Sequence, residues 1–174
     1  MRTALPALAL ASGILIYAQH GVAADDPVRR WVSPNRQFTI SSVAGHRADD
    51  LPPYELSLLR PDGKPVLIDE YYRAVDVLWS PDSGHVAVTD WIGSNVADCL
   101  VVDPRRPESP VSITAAVPKL DVDLKNSHSY VSCGNWLSPR TIAVRVSGHT
   151  DYPPYSEFDY RFVYDAETGR LTAP

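Results

Sequence analysis

Apolar and polar residues alternate along most of this chain in short runs, and the runs are separated by clusters of Pro, Gly, Asp and Ser. In "VLWSPDSGHVAVTDW", from Val77, Val86 and Val88 fall on one side of an extended chain and Ala87 and Thr89 on the other. That two-residue period is the mark of a strand, and Ser-Pro-Asp-Ser-Gly before it suits a tight turn, because Pro fixes φ and Ser or Asp can bond nearby amides. Prolines recur too often for long helices to fit between them. The pattern predicts an all-β chain. For the middle stretch it predicts strands at about 75–79, 85–90, 98–103 and 111–114.

The stretch has two counterparts. "RRWVSPNRQFTISSVAGH" from Arg29 and "GNWLSPRTIAVRVSGH" from Gly134 also place Ser-Pro within two residues of a Trp and follow it with an alternating strand. Downstream, "YELSLLRPDGKPVLI", "DCLVVDPRRPESPVSI" and "DYRFVYDAETGRLT" each read as a strand leading to a turn. The tryptophans, at 31, 79 and 136, mark a repeat of supersecondary units. Three antiparallel meanders of four strands are expected, at roughly 28–70, 75–114 and 130–174, within one domain over 25–174. Each Trp would offer a large apolar face to the neighbouring unit.

"WSPDSGHVAV" followed by "CLVVD" resembles the WD40-like repeat of the TolB type, which builds β-propeller blades in exported bacterial proteins. The middle unit carries the resemblance best, the last less well, and the first through its Trp-x-Ser-Pro and "LLRPDGKPV" alone. The resemblance implies a β-propeller-like scaffold and says little about chemistry. Three units are too few for a standard closed propeller. The array is expected to wrap compactly as a monomer, or else to cover its open edges by self-association or with a partner.

The first residues change the expected compartment. "MRTALPALALASGILIYAQHGVAA" has a basic start, an apolar stretch from Ala4 to Ala18 and small residues at its end, the layout of a secretory signal peptide over 1–24 cut after Ala24. The apolar stretch is short for the ~20 residues that a spanning helix needs. The protein is therefore expected to be exported, to the periplasm or the medium, with no membrane insertion after cleavage. In that setting Cys99 and Cys133 are expected to form a disulfide, stabilising the fold by ~3–4 kcal/mol. The leader holds one basic residue and no acid, so a formal charge of −5 becomes −6 on its removal. Scattered charge of that sign argues against nucleic acid, whose phosphates need clustered Lys and Arg.

Candidate chemistry gathers in the long loops after the second and fourth strands, since the turns after the first and third are short. "GHRADDLPPY" (45–54) and "GHTDYPPY" (148–155) echo each other: Gly-His, then acid, then Pro-Pro-Tyr. Paired prolines hold the backbone extended, so Tyr54 and Tyr155 would be presented at little ordering cost. The middle loop carries Trp91. These three aromatics, with His46, His149, Asp50 and Asp151, form the candidate binding rim.

No cofactor and no metal site is expected. "DVDLKNSHSYVS" opens like a calcium loop, but Asn126 and Ser132 stand where Gly and Glu are required. Nucleophile-elbow, zinc-protease and phosphate-loop motifs are lacking. The chain is expected to be a non-catalytic module binding a protein of the envelope or medium, with inhibition or immunity one concrete form. A hydrolase of a cell-envelope polymer using His46, His149, Asp50 and Asp151 is the alternative, and a structural component completing a larger sheet assembly is another.

Overall fold

The structure, a computed structural model, describes residues 28–44 and 53–174. The leader expected over 1–24 and the rim residues His46 and Asp50 lie outside the described residues. The fold is all-β. Strands β1 (Val28–Val32), β2 (Thr39–Ala44), β3 (Tyr54–Leu59) and β4 (Pro65–Tyr71) form an antiparallel meander in chain order. The middle unit follows with β5 (Val75–Trp79), β6 (Val86–Asp90), β7 (Val96–Val102) and the short β8 (Val111–Ser112). After 3₁₀ turns at Thr114–Ala116 and Leu124–Asn126 comes the third meander: β9 (Ser127–Trp136), β10 (Thr141–Thr150), β11 (Glu157–Asp165) and β12 (Arg170–Thr172).

The units stack face to face, and no sheet closes into a barrel. In the middle unit Val86 lies opposite Val102 and Trp79, and Val88 opposite Leu100 and Val77. That face packs against Ile40, Leu56, Leu58, Ile68 and Tyr71 of the first unit. The other face, with Ala87, Cys99 and Val101, packs against Val131, Ile142, Val144 and Val146 of the third. Burial on both faces is why every residue of β6 is buried, although its sequence alternates.

One connection departs from three separate meanders. Val96 and Ala97 pair in parallel with Ser129 and Tyr130, which starts β7 earlier than its own pattern suggests and joins the last two units in one eight-stranded sheet. From there β9 crosses the face of the middle unit diagonally. The Cys133 amide donates to Thr89 Oγ1 at 3.0 Å, and Trp136 Nε1 to the Leu78 carbonyl at 3.0 Å. The Cys99–Cys133 disulfide, with its Cα atoms 5.3 Å apart, links β7 to β9 along this crossing.

The Ser-Pro turn that follows each Trp has a local cause. Ser33, Ser80 and Ser138 each accept, through Oγ, the amide of the residue that closes the turn: Phe38, His85 and Thr141, at 3.0, 2.9 and 3.0 Å. These turns gather at one end of the stack, where the Asn35 amide also donates to Ser83 Oγ of the next unit at 3.0 Å. His85, in the bend of the middle unit, stacks on Trp136 with ring centroids 6.0 Å apart, because the third unit's Trp covers the middle unit's turn. The loops after β6 and β10 lie at the opposite end.

Candidate functional site

At the long-loop end, the outer face of the third unit brings titratable side chains together. Residues 131, 133, 142, 144 and 146 point into the core, so His128 of β9 and His149 of β10 point outward, and the antiparallel register sets them directly opposite each other. Their rings stack with centroids 4.4 Å apart and planes 17° apart. Asp151, in the loop that leaves β10, reaches both through one oxygen: Oδ1 is 2.7 Å from His128 Nδ1 and 3.5 Å from His149 Nε2. Each side chain is partly exposed. On the far side of His149, Glu157 of β11 is its direct strand partner.

The backbone fixes this geometry. A Cβ on Gly148 would lie 1.8 Å from the His128 carbonyl oxygen, so only glycine lets β9 come this close beside the two rings. The loop carrying Asp151 is tied at its root, where the Thr150 amide donates to the Ser156 carbonyl at 2.9 Å and Thr150 Oγ1 to the Pro154 carbonyl at 3.0 Å. The Ser156 amide returns a bond to Thr150 Oγ1 at 2.9 Å. Tyr152 accepts the Asp123 amide at 3.1 Å, and Tyr160 donates to Asp121 from the core-facing side of β11, so the segment before β9 is anchored to the loop that carries Asp151 and to β11. Chemically, the trio offers a carboxylate-oriented imidazole and a set of three convergent donor atoms.

The candidate rim is dispersed along this end. Tyr155 is 76% exposed. Tyr54 opens β3 and stacks on Tyr71 at 5.2 Å. Trp91 is engaged with its own fold: Nε1 donates to Asp76 Oδ2 at 2.8 Å, its amide donates to the Ala74 carbonyl, and its ring tilts against Tyr130 at 6.1 Å. Tyr54, Trp91 and Tyr155 do not stack on one another. Of the acids and histidines described, His149 and Asp151 meet.

A second group of acids lies between the first and middle units. Asp90 and Asp98 are direct partners on β6 and β7, and Asp69 of β4 acts on Asp90 electrostatically. Asp90 is only 7% exposed, and its Oδ1 has no hydrogen-bond partner. Burial, reinforced by Asp69 and Asp98, pushes its carboxyl up to about 6. Asp69 is raised as well, by its own burial first.

The chain matches no known family model and no curated protein sequence. The site therefore stands on its geometry. His128 is the functional residue that motif reading passes over. The alternation of "SHSYVSC" places it outward, but its meeting with His149 depends on strand register, and no spacing along the sequence reports that.

Proposed function

We propose that the protein is an exported binding module whose long-loop end engages another protein of the envelope or medium. The observation that carries this reading is Tyr155. It is almost fully exposed at the tip of a loop that three hydrogen bonds to Thr150 hold in place. An aromatic ring on a pre-ordered loop contributes a large contact area with little left to order, which is the profile of an interface anchor. Tyr54 of the first unit and Ile92 of the middle one are also exposed. Export is supported by the leader pattern together with the disulfide, a bond that persists in oxidising compartments. Among the described residues no helix is long and apolar enough to cross a membrane.

The test is affinity capture from envelope and secreted fractions, followed by titration of the purified captured protein against wild type and a Tyr155→Ala/Tyr54→Ala variant of matched thermal stability. A stoichiometric complex that weakens at least ten-fold in the variant supports the reading. A complex of unchanged affinity moves the interface elsewhere, and the absence of any complex removes the proposal.

A further inference from the structure

We infer that His128, His149 and Asp151 form a binding site for a late first-row divalent metal ion, of which zinc is the representative. Each residue offers one ligand atom, and the three atoms lie within 4.8 Å of one another. Zinc bonds of about 2.0–2.2 Å to nitrogen and oxygen put tetrahedral ligands roughly 3.3 Å apart. The separation of His149 Nε2 from Asp151 Oδ1, 3.5 Å, already fits. The 2.7 Å contact of His128 Nδ1 with the same oxygen is a hydrogen bond, and it must open by roughly 0.6 Å as the metal replaces its proton. The two rings, now stacked 17° from parallel, must also tilt apart so that their in-plane lone pairs meet at one ion, a rotation that partly exposed side chains are free to make.

Donor chemistry selects the class of ion. Two imidazoles and one carboxylate suit zinc, copper or nickel, whereas calcium takes six to eight oxygens and magnesium an octahedron of them. The trio occupies three positions, so water, or a side chain of a bound partner, completes the shell. Glu157 is the nearest acid by strand register, beside His149 on the same face. The scaffold is already organised for chelation. Two ligands sit opposite each other on paired strands, the third stands two residues beyond one of them, and Gly148 permits the close approach of β9 and β10. The site is independent of whether Tyr155 meets a protein.

The experiment is calorimetric titration of the chelator-treated protein with zinc chloride in a buffer that does not bind metal, with calcium chloride as a parallel titrant. Wild type should bind one zinc per chain, and calcium should give no saturable binding. His128→Gln, His149→Gln and Asp151→Asn should each weaken zinc at least ten-fold, while His85→Gln should leave it unchanged. Copper-induced broadening of the imidazole resonances, read on the wild type alone, should single out His128 and His149, so the assignment does not rest on the variants folding. Absence of zinc binding, loss on His85→Gln with retention on His149→Gln, or broadening at other histidines would each overturn the site.

Discussion

The indole Nε1 of Trp79 donates to the main-chain carbonyl of Trp31 at 3.0 Å, so the marker residue of one unit bonds the marker residue of the unit before it. Trp136 repeats the relationship one unit on, donating to the carbonyl of Leu78, the residue before Trp79. The tryptophans thus tie units together through the backbone as well as filling space between them. Trp79→Phe keeps most of the apolar area and removes the donor, leaving the Trp31 carbonyl short of a partner. A loss of about 1–2 kcal/mol is expected, read as a lower urea midpoint with an unchanged slope. Trp136→Phe should cost a similar amount. A midpoint that does not move would show that these bonds are replaced by water at no cost.

The disulfide crosses the other unit boundary. Cys99 of β7 is fully buried and Cys133 lies in β9, so reduction removes the covalent tie between the third unit and the middle one. Replacing both cysteines with alanine should cost about 2–4 kcal/mol in chemical denaturation. The third unit should loosen first, seen as faster amide exchange in β9 and β10 than in β2 and β3. Equal acceleration throughout would mean that the three units unfold as one.

Much of this architecture is legible in the sequence, and the boundary of what is legible is physical. The Ser-Pro turn after each Trp is a local device, because each serine bonds an amide only three to five residues on, and so the turns, the four strands of the middle unit and the threefold repeat follow from neighbours in the chain. The parallel contact of Val96 with Ser129 is not local. It merges two meanders through residues whose alternation is equally compatible with a free edge. The candidate site divides in the same way. His149 and Asp151 sit two residues apart and are read together, whereas His128 joins them only through the pairing of β9 with β10. Trp91, conspicuous in a long loop, is bound to Asp76 by its indole, a contact that fourteen intervening residues conceal.

Gly148 is a glycine for space as well as for conformation, with φ of +157°. Alanine there would put Cβ 1.8 Å from the His128 carbonyl oxygen and 3.0 Å from Phe158 Cζ, and the first obstacle is backbone. Gly148→Ala should cost at least the upper end of the ~1–3 kcal/mol typical of overpacking, and it should part β9 from β10 where the two histidines stack. Gly63 is the control. It has φ of +75° with nothing within 4 Å of an added Cβ, so Gly63→Ala should cost only about 1 kcal/mol of backbone strain. Thermal denaturation of the two variants compares them directly, and equal losses would refute the steric account.

The acids between the first and middle units make stability depend on pH in the direction opposite to a salt-bridged carboxylate. The Asp90 carboxyl has an ordinary value of 3.8 and is raised to about 6 in the fold. Below pH 3.8 it is protonated in both folded and unfolded chains, and it carries no penalty. As pH rises toward and through 6 the unfolded chain ionises freely, while the folded one must hold a charge beside Asp69 and Asp98 with Oδ1 unsatisfied. Stability contributed by the protonated form is therefore lost between about pH 4 and 7, and Asp69, raised for a similar reason, adds to the trend. Asp82, Asp103 and Asp165 are held low, so their losses fall at more acid pH and leave this window to the buried group. Asp90→Asn keeps the shape and removes the charge. It should stabilise the protein at pH 7.5 by on the order of 1–2 kcal/mol and flatten the pH dependence between 4 and 7. Urea midpoints of wild type and variant across that range measure both effects. A variant that is less stable at pH 7.5, or that keeps the wild-type slope, would show that the Asp90 carboxylate is compensated in the folded chain.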